Sequence, residues 1–214
     1  MLRPPVRLKL ATASVAVPLL LLSACSGDSG DSGAGESPSS PASTAAATVG
    51  PTPTPSATYR PASAEGPAEN VPLPVMPEEA KVQSKEGLEA FARYWYDLIN
   101  YGFETGDVDP IKAISGPECV VCDNFYRMVA SGYKDEDWIS GGALVVQGVS
   151  SEYVLTPEGR YQVLIQNAQE ASEYYGPGVF YGTREGYPEP GVQIIEARYR
   201  ADGWYAERVD TISG

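Results

Sequence analysis

Apolar residues recur at helical spacing in the stretch that follows Ser84. Leu88, Phe91, Trp95, Leu98, Ile99 and Gly102 trace one stripe, and Tyr94, Tyr96, Tyr101 and Phe103 widen it. Ser84 is placed to cap this helix, Glu86 and Glu89 suit its positive end, and Gly106 is a natural stop. The pattern predicts a helix buried on more than one side. Asp109-Pro110 reads as an N-cap followed by proline in the first turn, so a second, short helix is expected from Pro110 to Ser115. Gly116-Pro117 breaks the chain. A third helix is expected from about Glu118 to Ser131, with Cys119, Cys122, Tyr126 and Val129 along one side.

Beyond Gly132 the period changes from 3.6 to 2. Gly142 to Leu155 reads as a long strand with Ala143, Val145, Val149 and Tyr153 on one face. Thr156-Pro157-Glu158-Gly159 suits a type I turn, and Arg160 to Gln169 returns with Tyr161, Val163 and Ile165 inward. Val192 to Arg200 and Trp204 to Val209 form a further pair around the Ala201-Asp202-Gly203 turn. Between them, Ala171 to Gly191 is rich in aromatics, glycine and proline. It is expected as a loop, either a ligand or partner lip or an irregular strand extension. Helices first and antiparallel strands after predict an α+β domain with helices packed on one sheet face.

The first part of the chain obeys different rules. Arg3, Arg7 and Lys9 precede an apolar run, Ala11 to Ala24. As a helix this run is roughly 21 Å long, short of the ~30 Å bilayer core, which describes an export signal rather than a membrane span. The run closes on Leu22-Ser23-Ala24-Cys25. That motif resembles the lipobox of bacterial lipoproteins and implies that Cys25 becomes the lipidated first residue of the mature protein. Three parts are therefore expected: a signal peptide at 1–24, a lipidated cysteine with a disordered Ser/Gly/Pro/Thr-rich tether at 25–77, and a single domain at 78–214. The tether has too few large apolar residues to offset the entropy of ordering itself.

The formal net charge is −13, and the chain has no histidine. An acidic chain disfavours electrostatic binding of nucleic acid. Absence of imidazole excludes serine–histidine–aspartate hydrolysis and the usual histidine-bearing zinc sites. No metal and no cofactor are expected.

Glu89-Ala90-Phe91-Ala92-Arg93-Tyr94-Trp95-Tyr96-Asp97, Asn100-Tyr101, Thr105-Gly106-Asp107 and Cys119-Val120-Val121-Cys122 resemble an uncharacterised actinobacterial lipoprotein family, domain of unknown function 6318. The order of elements, ending in Asp202-Gly203-Trp204-Tyr205, is similar to the cystatin-like fold of the nuclear-transport-factor-two superfamily. The resemblance implies a curved sheet around a long first helix, with a cone-shaped pocket. It implies no reaction. Trp95, Tyr161, Tyr199 and Trp204 are candidates to line that pocket.

Two cysteines remain in the domain. On a helix, residues three apart have Cα atoms about 5 Å apart, so Cys119 and Cys122 are within disulfide range. The alternative is a thiol–disulfide exchange site, but the motif lacks the preceding strand of a thioredoxin-like site. The domain is expected to be non-catalytic, to sit on the outer face of the cytoplasmic membrane through lipid on Cys25, and to bind a small apolar ligand or an envelope protein. The enzyme alternative is an acid–base isomerase or dehydratase with a carboxylate and a tyrosine in the cone.

Overall fold

A computed structural model describes residues 57–212. The signal peptide, Cys25 and the first part of the tether lie outside the described residues. Helix α1 spans Lys85–Thr105. Ser84 Oγ accepts from the Gly87 amide at 3.0 Å, and Gly106 ends the helix at φ 76°. Leu88, Phe91, Trp95, Leu98 and Ile99 are buried along it. Gly102 admits the third helix closely: a Cβ there would stand 2.8 Å from Phe125 Cζ.

Helix α2, Asp109–Ala113, is a single turn. Its N-cap is Val108 rather than the expected Asp109, whose amide instead donates to Asp107 Oδ1 at 2.9 Å. Helix α3, Val120–Gly132, starts on Cys119. Between α2 and α3 the chain runs beside the last strand. The Gly116 amide donates to the Ala206 carbonyl at 2.7 Å, and the Ala206 amide to the Ile114 carbonyl at 2.9 Å. These bonds cover an otherwise open sheet edge.

The strands are β1 Trp138–Gly141, β2 Leu144–Ser150, β3 Tyr161–Gln169, β4 Ser172–Gly176, β5 Val179–Arg184, β6 Tyr187–Arg200 and β7 Gly203–Ile212. They form two antiparallel sheets, β2-β3-β6-β7 and β1-β4-β5. The class is α+β, with two sheets where one was expected. Helices α1 and α3 pack on the larger sheet through Val163, Ile165, Ile195 and Val209, all fully buried.

Three expectations are corrected. First, the face assigned to β2 is wrong before Gln147. A bulge between Val146 and Gly148 shifts the alternation, so Leu144, Val146 and Val149 meet the core while Val145 is exposed. Second, 171–191 is not a loop. Ser172–Gly176 and Val179–Arg184 form a hairpin whose two-residue Pro177-Gly178 turn has Gly178 at φ 72°, and β6 begins at Tyr187. Third, the last part of the tether belongs to the domain. Trp138 Nε1 donates to the Ser63 carbonyl at 2.8 Å, Ser140 Oγ to the Ala62 carbonyl at 2.9 Å, and Tyr59 OH to Glu104 Oε2 at 3.0 Å. Backbone bonds between Arg60 and Glu69 close the strap on itself. Backbone pairing and polar contacts to β1 and α1 order a segment whose own apolar content is low.

Candidate functional site

A cavity of about 530 Å³ opens between the helices and the larger sheet. Trp95, Ile99 and Phe103 of α1 and Val121, Phe125 and Met128 of α3 form the apolar wall. Spacings of three and four along each helix put these residues on one face. The sheet side is different. It presents Asn167 and Gln169 from β3, Tyr187 and Gln193 from β6, and Thr211 from β7. Arg184, at the end of β5, and Glu189 are the charged residues of the lining. The volume is in the range of small-molecule sites, and an apolar wall with a few placed polar groups is their usual composition.

The polar groups form one directed chain. Tyr187 OH donates to Asn167 Oδ1 at 3.0 Å, and Asn167 Nδ2 donates to the Tyr96 oxygen at 3.4 Å. Tyr96 OH donates to Gln193 Oε1, whose Nε2 donates to Thr211 Oγ1 at 3.3 Å. Asn167 is 1% exposed, so its partners replace water. Burial pushes the Tyr96 phenol far above its ordinary value. Burial also raises the Tyr187 phenol, with Arg184 pulling the other way. Both phenols remain protonated donors at neutral pH, and amides do not titrate. Among the described residues the buried polar side chains are Ser115, Ser151, Asn167 and Ser172, with no carboxylate among them. Asp97 is exposed on α1, outside the cavity.

Of the residues the sequence nominated for a pocket, Trp95 lines the cavity, fully buried with Nε1 donating to Ser115 Oγ at 2.8 Å. Tyr161, Tyr199 and Trp204 do not. They join Tyr153 in an aromatic cluster, with Tyr153 stacked on Tyr161 at 4.5 Å and Trp204 edge-on to Tyr161 and Tyr199 at 5.5 and 5.1 Å. The Trp204 indole donates to the Val82 carbonyl at 2.9 Å and Tyr199 OH to the Lys81 carbonyl at 2.7 Å. Their task is to seat the segment entering α1 on the sheet. Tyr187 and Arg184 lie in the 171–191 stretch read as a ligand or partner lip or a strand extension, without being nominated for the pocket, and Gln193 was missed. Asn167 was missed too, although alternation from Val163 and Ile165 already places it inward.

Cys119 and Cys122 form a disulfide, with Cα atoms 5.1 Å apart. Cys119 Sγ also accepts from the Cys122 amide at 3.1 Å, so the bridge doubles as the cap of α3. Both cysteines are at most 1% exposed. Cys25 lies outside the described residues. Among the described residues no cluster of three metal-ligating side chains occurs, and no helix is long and apolar enough to cross a membrane.

No curated protein matches the chain. Among solved structures it is similar to the crystal structure of the intermembrane space region of the chloroplast protein ARC6, at 11% identity and a TM-score of 0.39, covering 62% of this chain and 99% of that one. A family model matches residues 57–210, from the strap into β7. The chain therefore belongs to the family of unknown function DUF6318.

Proposed function

We propose that the chain is an extracytoplasmic lipoprotein, anchored through lipid on Cys25, whose domain binds a small apolar ligand in the cavity between α1, α3 and the larger sheet. The observation that carries the binding reading is the cavity itself: about 530 Å³, walled by Trp95, Phe103, Phe125 and Met128, with most of its polar groups on the sheet side and Asn124 on α3. Its inner polar groups are amides and protonated phenols already bonded to one another, which suits holding a ligand better than moving protons. The buried disulfide disfavours thiol exchange, which needs an accessible sulfur. The anchoring reading rests on Leu22-Ser23-Ala24-Cys25 and the basic, apolar segment before it.

A second reading is supported by the edge strand β5. Val179, Phe180 and Tyr181 are exposed there, Phe180 by 56%. An envelope protein would meet these side chains. One preparation separates the readings: crosslinking and isolation of the native lipoprotein from its own envelope, followed by mass spectrometry of lipids and proteins. A stoichiometric small apolar molecule supports the cavity reading. A crosslinked protein joined through β5, with no co-purifying small molecule, overturns it in favour of the second.

A further inference from the structure

The charges at the cavity are not equivalent. Arg184 has no carboxylate within 4.0 Å among the described residues, although acidic side chains greatly outnumber basic ones in the chain. Its guanidinium rests against Met128 of the apolar wall, Nη1 standing 2.7 Å from Sδ. Arg160, Arg198 and Arg200 all pair with Glu207; Arg93 and Arg127 have no carboxylate that close either, but neither lines the cavity. Glu189 is the opposing charge of the lining. At one end of the polar chain the Tyr187 phenol is pulled down by Arg184 against its burial. An unpaired guanidinium beside an apolar wall offers five N–H donors in a planar fork suited to an oxyanion.

We infer that the ligand is an anionic amphiphile, its apolar body against α1 and α3 and its carboxylate or phosphate head on Arg184. This rests on the cavity being the binding site. An apolar body gains about 0.8 kcal/mol per buried CH₂, so affinity rises roughly fourfold for each methylene until the cavity is full. The charged contact adds about tenfold over an uncharged head, in line with a charge-assisted hydrogen bond.

The test is calorimetric titration of the full chain, carrying Cys25→Ser to keep acyl groups off the protein. Decanoate, decyl phosphate and decanol are compared below their micelle concentrations. The wild-type domain sequence is expected to prefer one or both anions over decanol about tenfold. Which anion binds better tells a carboxylate head from a phosphate head. Arg184→Gln should erase the preference and leave decanol binding within twofold. Arg93→Gln, an exposed charge on α1 outside the cavity, should keep it. Decanol binding as tightly as the anions, or a preference that survives Arg184→Gln, overturns the head-group inference and leaves the cavity reading intact. No binding of any of the three probes overturns both.

Discussion

Replacing Glu207 by Gln removes the carboxylate on which three arginines converge. Arg160 Nε and Arg198 Nε each lie 2.9 Å from it, and Arg200 Nη2 lies 3.2 Å away. The Glu207 side chain is 17% exposed, as is that of Arg160, which also pairs with Glu196 at 3.0 Å and Glu118 at 3.1 Å. Glu118 immediately precedes Cys119, so the network ties the start of α3, and with it one cavity wall, to β3, β6 and β7. Exposed pairs contribute about 0–1 kcal/mol and breaking a buried one costs about 3–5 kcal/mol. With Arg160 keeping two other partners, we expect a loss of about 2 kcal/mol at pH 7, between those limits. For a domain of this size that lowers Tm by roughly 4–8 °C. The pH dependence has a definite sign. Partial burial alone would raise the Glu207 carboxyl, but its bonds to Arg198 and Arg200 hold it below the ordinary 4.5. A bond to Gln162, with Arg160 beside it, lowers Glu196 likewise. A depressed carboxyl contributes stability that is full above its unfolded value and is lost as pH falls through its folded value. Thermal melts from pH 7 to pH 3 should therefore show Glu207→Gln destabilised at pH 7 and converging on wild type in acid. Parallel curves, or an unchanged Tm at pH 7, would refute the reasoning.

Three more outcomes follow from packing and covalent structure. The Cys119→Ser/Cys122→Ala double variant should lose about 2 kcal/mol by the chain-entropy estimate for a four-residue loop; scanning calorimetry reads this, and retained ligand binding marks the bridge as structural. Intact protein should resist a mild thiol reductant until it unfolds, because both sulfurs are buried; ready reduction of the native state, followed by thiol labelling and mass spectrometry, would revive the exchange reading. A chain begun at Glu78 loses the Trp138 and Ser140 bonds to the strap and the exposed Tyr59 bond to Glu104, and at about 1 kcal/mol for each of the two half-buried bonds its Tm should fall by several degrees.

The helices were legible because their caps and stripes agree: Ser84, Gly106 and the Leu88–Phe103 face all describe the same element. The core of β3 was legible through Val163 and Ile165. What sequence pattern missed has specific causes. The bulge at Gln147 reverses the faces of β2 in mid-strand, and its one local signal, Gly148 inside the strand pattern, is weak beside the alternation. Strands β1, β4 and β5 are four to six residues long, the first two ending in glycine and β5 interrupted by Gly182, so their period is too short to read. The strap from residue 57 looked like tether because its order comes from distant partners on β1 and α1. Aromatic size misled the choice of cavity residues. Trp204, Tyr199 and Tyr161 are large and near one another, yet they staple the entry to α1, whereas the cavity's distinctive groups are an inward asparagine and an arginine with no carboxylate partner among the described residues.

Gly191 gives the most direct test of the cavity as binding site. It lines the cavity, pairs with Asn167 in the β3–β6 ladder, and a Cβ built on it meets nothing within 4 Å. Gly191→Leu therefore sends a branched side chain toward the cavity on the same face as Asn167, from a Cβ free of contacts and with no glycine-specific backbone to strain. Decanol titration of wild type and Gly191→Leu, read by calorimetry alongside thermal unfolding, should show saturable binding by the wild type, an equal or higher Tm in the variant, and binding weakened at least about tenfold, the loss of roughly two buried methylenes. A folded Gly191→Leu variant that binds decanol as tightly as wild type would contradict the cavity as the site.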